Sequence, residues 1–274
     1  MSSRWERAVT HALLITFSVI AVYPLVSILF LALSRQSDLV TGFTIPTDPS
    51  LDSFVTAWTK GGFDRGFANS IVVATTVTIL SVALSILSGY GLGTMRFPGA
   101  NAIFYLLMAG LVIPYESLII PLYRLFRDAG MTESYAALIL PQVGVSVCLG
   151  TFWMRSFFRS SPRAVIEAAR MDGAGHLRVL LSVLLPSALP AALTLAALVF
   201  MYTWNDYLLA LVMNPGGDML TAPLALGYFA GAQRYSDQTV VAAAAVLVAL
   251  PVVAAYVVLQ RRFIRGFLTG AVRE

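Results

Sequence analysis

Few side chains in this 274-residue chain are equipped for chemistry. The one cysteine, Cys148, lies in an apolar run and leaves no intrachain disulfide to form. The two histidines, His11 and His176, are far apart, and no Cys/His cluster has metal-ligand spacing, so we expect neither a metal nor a catalytic centre. The phosphate-cradling pattern G-x-x-x-x-G-K-[ST] does not occur, so ATP is not expected to bind here. Gly89-Tyr90-Gly91-Leu92-Gly93 does not match a dinucleotide fingerprint, and a net charge of +4 needs no nucleic acid to explain it. Two acids remain in apolar surroundings: Asp206, within Trp204-Asn205-Asp206, and Glu116, two residues after Pro114. A carboxylate inside a membrane is costly and by default marks a pathway or an interhelical hydrogen bond. The last group is the stretch from Ser160 to Pro186, with Arg163, Glu167, Arg170, Asp172, His176 and Arg178 in a chain only 12% charged. Such a run suits a contact surface.

These residues must be held by an unusually apolar chain. It is 58% hydrophobic with a mean hydropathy of +0.80, too little charge to cover a soluble domain. Several apolar runs reach about 20 residues, enough to cross the hydrocarbon core as helices. Alternating strand patterns are absent, which argues against a barrel. The expected fold is an all-α polytopic membrane protein, one domain over 1–274, with six transmembrane helices at about 10–33, 67–94, 102–121, 135–157, 188–212 and 240–259. The first run is too long for a signal peptide and lacks its cleavage pattern. Leu51, Phe54, Val55 and Trp58 follow helical spacing and predict a short amphipathic helix at the interface. Ser and Thr are frequent in the second helix, where they favour close packing, and Gly89, Gly91 and Gly93 are expected to end it. Pro114 and Pro141 predict kinks in the third and fourth helices. In the fifth, ten Leu, Val and Phe residues contribute roughly −3 to −6 kcal/mol, outweighing about +3 kcal/mol or less for Asp206, so insertion wins.

With the N-terminus inside, twelve of the 18 Lys and Arg fall on the cytoplasmic side. The positive-inside rule therefore places both termini and Ser160–Pro186 in the cytoplasm. That stretch has helical logic of its own. Ser161 is placed as an N-cap with Pro162 at the first helical position. Gly173 can close a short helix in the left-handed conformation. A second segment from about Ala174 puts Leu177, Leu180, Leu181 and Leu184 on one apolar face. Pro186 and Pro190 mark entry into the fifth span. Periodicity alone fits a helix lying on anionic headgroups, although Glu167 counts against that.

The segment E-A-A-R-M-D-G-A-G, followed by Leu184-Leu185-Pro186, resembles the cytoplasmic loop of binding-protein-dependent ABC importer permeases. NSIVVATT, MRFPGAN, IPLYRLFRDAGMTESYAALILP, FFRSSPRAVIEAARMDGA, TWNDYLLAL and LQRRFIRGFLTGAV extend the likeness across most of the chain, towards the maltose-type carbohydrate branch. The resemblance implies a type I importer permease fold whose 160–186 loop is a coupling helix. It also implies a half-transporter in the bacterial inner membrane, paired with a second homologous permease and driven by two ATPase subunits. An extracytoplasmic binding protein would deliver the solute, and ATP and Mg would be bound on the ATPases, with no cofactor on this chain. By motif position, Glu167 would contact the ATPase, Ala168 and Ala169 would permit close approach, and Asp172 and Gly173 would form the turn. Gly270 and Ala271 would belong to a tail reaching between the ATPases, although Val272-Arg273-Glu274 departs from the small residues and Lys more usual there. Asn205, Asp206 and Glu116 are candidates for the translocation path, with a structural hydrogen-bonding role for Asp206 as the alternative.

Two other functional classes are weighed against this reading. An intramembrane enzyme built on Asp206 or Glu116 lacks a Ser/His or paired-acid arrangement. An ion-coupled secondary transporter would be expected to show inverted repeats, and none is apparent. A polyol, glycerophosphodiester or amino sugar remains an alternative cargo.

Overall fold

The computed structural model describes residues 4–35, 43, 45–231 and 237–271, with side-chain burial described up to Val258. The described residues are helical, without strands. Twelve α-helices follow in order: α1 (Arg4–Leu33), α2 (Asp52–Lys60), α3 (Phe63–Thr94), α4 (Ala100–Val112), α5 (Tyr115–Asp128), α6 (Tyr135–Ser160), α7 (Arg163–Met171), α8 (His176–Arg178), α9 (Leu185–Trp204), α10 (Leu208–Met213), α11 (Ala222–Gly231) and α12 (Gln238–Ala271). A π-helical turn, Val179–Leu184, joins α8 to α9. Five helical segments are long and apolar enough to cross a membrane, and a sixth crossing results if the bent pair α4–α5 is one span.

The chain divides into two compact units. The first comprises residues 1–65 and 225–250. In it α1 is apolar and exposed along most of its length. The expected amphipathic helix forms as α2, and its buried Ser53 hydroxyl lies 3.0 Å from that of Thr239. Asp237 holds the start of α12 by accepting from the Thr239 amide at 2.9 Å and hydroxyl at 2.8 Å. The ring of Phe63 meets that of Phe229 edge-on.

The second unit comprises residues 66–224 and 251–274 and carries the main apolar core. Along α3, Ser81, Ser85, Gly89 and Gly93 recur every fourth residue, forming a stripe of small side chains. A Cβ on Gly89 would sit 2.6 Å from Met154 Cβ, and one on Gly93 would sit 3.2 Å from the Arg155 carbonyl. Gly150 of α6 faces Ser85 just as closely, and Ser88 reaches the Thr151 hydroxyl at 2.6 Å. The small residues thus bring α3 and α6 into near backbone contact. The helix α3 ends at Thr94, as expected, with Gly89, Gly91 and Gly93 in its last turns.

Two expected spans are broken. The third is interrupted at Ile113-Pro114, where α4 and α5 meet at 97°, far beyond a proline kink. Pro114 has no N–H and cannot continue the ladder, so the chain leaves the helix and restarts at Tyr115. The fifth span does not run to residue 212: α9 stops at Trp204 and α10 begins at Leu208. Asp206 therefore lies in a joint between helices and not inside one.

Candidate functional site

The charged stretch folds as α7, a turn, α8 and the π turn. The helix α7 begins at Arg163 with Pro162 in the N-cap position, one residue later than expected. Ser161 closes α6 instead, its hydroxyl donating to the Phe157 carbonyl at 3.4 Å. Proline restricts the residue before it to extended conformations, which is why Ser161 ends one helix without starting the next. At the far end the Ala174 amide donates to the Ala169 carbonyl at 3.0 Å and the Gly173 amide to the Arg170 carbonyl at 2.9 Å. This is a Schellman closure with Gly173 at φ +80°, a backbone conformation that side chains with a Cβ resist.

The faces of α7 are clearly divided. Ile166 and Ala169 pack on the core. Opposite them, Ala164, Glu167, Ala168 and Met171 fall at i, i+3, i+4 and i+7 and are all exposed, Met171 at 88%. Arg163 and Arg170 flank this stripe. Glu167 makes no hydrogen bond or ion pair among the described residues. Of the residues assigned to docking by resemblance, Glu167, Ala168, Asp172 and Gly173 are exposed, whereas Ala169 faces its own chain.

The turn is pinned to the bundle by His176. Its Nδ1 accepts from Arg170 Nη2 at 3.1 Å and lies 3.4 Å from the Tyr90 hydroxyl of α3. Two donors at Nδ1 leave the proton of the neutral ring on Nε2. Beyond it, Leu180 and Leu184 are buried at 1% and 3%, while Leu177 and Leu181 are 63% and 50% exposed. The expected single face of four leucines does not form, because the π turn shifts the register: the Leu185 amide bonds Leu180 O, five residues back. Pro186 supplies the reason. It has no N–H for the carbonyl four residues earlier and its ring crowds that carbonyl, a conflict that a wider turn relieves. Helix continues without a break from His176 to Trp204, about 40 Å at 1.5 Å per residue. The turn after α7 is thereby joined rigidly to a membrane span.

The Asp206 joint lies at the other end of that span. Asp206 Oδ1 accepts from the Leu209 amide, in the first turn of α10, at 3.0 Å. Its Oδ2 is 3.5 Å from the Tyr115 hydroxyl, and Tyr115 is the first residue of α5 after the Pro114 break. One carboxylate thus links both interrupted spans. Trp204, fully buried, stacks on Phe200 at 5.8 Å and meets Phe67 edge-on at 5.7 Å. Asn205 is exposed, with its amide donating to Met201 O at 2.8 Å, and Glu116 is exposed with no hydrogen bond or ion pair among the described residues.

Sequence reasoning missed several groups around Asp206. A small polar cavity is lined by Ser70, Gln142, Thr203, Thr221 and Asp206 with apolar neighbours. Gln142 Oε1, Thr203 Oγ1 and Thr221 Oγ1 are buried and make no hydrogen bond among the described residues. The space suits about one water-sized guest. Glu133 was also missed. It sits at φ 56°, donates its amide to Met213 O at 3.0 Å, and its carboxylate accepts from Gly216 N–H. Only Pro114 beside Tyr115 hinted at any of these groups in the sequence. Gly270 and Ala271 end α12, and their surroundings lie outside the described residues.

Residues 81–268 match the family described as binding-protein-dependent transport system inner membrane component. The chain is 32% identical to the diacetylchitobiose uptake system permease protein NgcG of Streptomyces coelicolor, over 99% of this chain and 91% of that one. The chain belongs to this family. It is a multi-pass inner-membrane permease component, and the stretch from Ser160 to Pro186 lies within the matched region. The permease is also 31% identical to the trehalose transport system permease protein SugB of Mycobacterium tuberculosis, over 98% of both chains. Its fold is that of one chain in the crystal structure of a bacterial ABC transporter involved in the import of the acidic polysaccharide alginate. That match has a TM-score of 0.80 and 24% identity, covering 95% of this chain and 98% of the other.

Proposed function

We propose that this permease forms half of the translocation path of an ATP-driven importer for a sugar or sugar-like solute. A second homologous permease completes the path, an extracytoplasmic binding protein delivers the solute, and two ATPase subunits drive the cycle from the cytoplasm. Both termini and α7 face the cytoplasm in this reading, in line with the Lys and Arg distribution. The sugar class is supported by relatives at 30% identity or more that carry diacetylchitobiose, trehalose or melibiose, raffinose and stachyose in their names.

The observation that carries the driving mechanism is the outward stripe of α7. Ala164, Ala168 and Met171 present small and apolar surface with one acid, Glu167, opposite the face that grips the core. A helix built for lipid headgroups would turn its apolar side to the acyl chains and its bases to the phosphates. Here the outward side is almost uncharged and its one charge is negative, which suits a partner protein with a complementary base. ATP-driven closure of the ATPases would move α7, and the continuous helix from His176 to Trp204 would carry that motion to the Asp206 joint. Coupling of this kind requires each partner to bind the two arrangements of the permease differently.

Glu167→Lys tests the reading. The variant should reach the membrane at the normal level, since Glu167 is exposed and makes no hydrogen bond or ion pair among the described residues, while energised uptake falls to background. Uptake at the wild-type rate would contradict the docking role.

A further inference from the structure

A cleft of about 300 Å³ opens beside the C-terminal end of α6, where α4 packs against it. It is lined by Phe104 of α4 and by Phe152, Arg155, Ser156, Arg159 and Ser160 of α6. The α6 residues recur at i, i+3, i+4, i+7 and i+8, so they share one face. Along that face the chemistry changes in order. Phe152 is apolar and exposed, Arg155 and Ser156 follow one turn on, and Arg159 and Ser160 follow one turn further, the whole spanning about 12 Å. Leu149, also exposed, continues the apolar end.

Arg155 is already aimed. Its Nε donates to the Leu92 carbonyl of α3 at 3.1 Å, and its guanidinium carbon lies 3.7 Å from the centre of the Phe104 ring. These contacts fix the fork while its two terminal nitrogens make no hydrogen bond to the described residues. Arg159 and Ser156 also have no hydrogen-bond partner there. A pair of guanidinium groups with a free hydroxyl beside them matches phosphate oxygens, which arginine binds through its planar fork. Neither arginine has an acidic neighbour at ion-pair distance among the described residues.

We propose that this cleft binds the headgroup of an anionic phospholipid. The phosphate sits between Arg155 and Arg159, the Ser156 hydroxyl donates to it, and the acyl chains descend over Phe152 and Leu149. The order of apolar, basic and polar groups along α6 reproduces the order of acyl chain, phosphate and headgroup at a bilayer surface. This is the chemistry by which basic pockets between membrane helices hold acidic lipids. Free phosphate would satisfy the arginines equally but would leave the exposed phenylalanine end without a partner, so the lipid is favoured. The proposal rests on α6 spanning the membrane and is independent of the importer's cargo.

The test is native mass spectrometry of the full-length chain, extracted with the subunits that co-purify. Delipidated protein is offered phosphatidylglycerol, phosphatidylcholine with the same acyl chains, or inorganic phosphate. One phosphatidylglycerol should be retained roughly tenfold to thirtyfold better than phosphatidylcholine, from two arginines at about 1 kcal/mol each. Arg159→Gln should cut that preference about fivefold. Ser156→Glu should abolish it by placing a negative charge at the phosphate position. Both changes are at exposed positions with no hydrogen bond to another described residue, and unchanged thermal unfolding will show that each variant folds. Equal retention of the two lipids overturns the proposal, as does an unaltered preference in both variants. Displacement of the lipid by millimolar inorganic phosphate would overturn the lipid assignment and identify a free-anion site.

Discussion

Asp206 gives one carboxylate oxygen to the Leu209 amide and turns the other towards the Tyr115 hydroxyl, so its first effect is on helix geometry. Removing a side-chain acceptor from an amide in the first turn of a helix costs about 1 kcal/mol. Asp206→Ala should therefore lower the thermal unfolding temperature of the purified permease, whereas Asp206→Asn keeps an acceptor and should lower it less. If Asp206→Asn abolishes uptake while unfolding is unchanged, the carboxylate acts on the path and not only on the helix. Gly173 allows a second prediction at this scale. At φ +80° an alanine strains the backbone by about 1 kcal/mol or more, so Gly173→Ala should destabilise the turn although a Cβ there would touch nothing. Gly173 was legible in the sequence because an Asp-Gly pair after a helical run states a local requirement. Ala169 was not: motif position grouped it with Ala168, and only the packed structure shows that Ala168 is exposed while Ala169, about 100° round α7, packs on the core.

Among the elements, the π turn between α8 and α9 decides which leucines are inside. Leu184→Asn places a polar amide at a buried position, costing about 2 kcal/mol or more, whereas Leu181→Asn, at a half-exposed one, should be nearly neutral. Equal costs in thermal unfolding would mean that the regular helical register holds after all. The leucine spacing fitted a regular helix, and nothing in it announced an added residue per turn. The signal lay in Pro186, whose missing N–H affects the turn before it. The broken spans were hidden for a related reason. Apolar composition continues across Asn205 and Asp206 into Leu208–Met213, so hydropathy counts one span where hydrogen bonding makes two helices. Pro114 marked the other break, yet sequence cannot fix a 97° bend, which depends on what α5 packs against. The lengths of α3 and α6 were readable because their apolar runs are bounded by turn residues.

For the whole molecule, the account needs α7 and the loop between α5 and α6 on opposite sides of the membrane. In a Cys148→Ser background, Met131→Cys should react with a membrane-impermeant maleimide in intact cells, and Leu177→Cys should react only after permeabilisation. The opposite pattern would invert the topology and remove α7 from the reach of a cytoplasmic ATPase. The apolar runs and the uneven spread of Lys and Arg were readable because the bilayer imposes length and charge rules on every crossing helix. The solute cannot be read in the same way, since a sugar site is a matter of a few side chains whose positions are set by helix rotation.

The central claim is that α7 is held by its inner face so that its outer face can be driven. Short-range cysteine cross-linking in the assembled importer, again without Cys148, tests it directly. Ala168→Cys and Met171→Cys should each form a covalent adduct with an ATPase subunit, and Ala169→Cys should form none. Adducts from Ala169→Cys with none from Ala168→Cys and Met171→Cys, or no adduct from any of the three, would contradict the account.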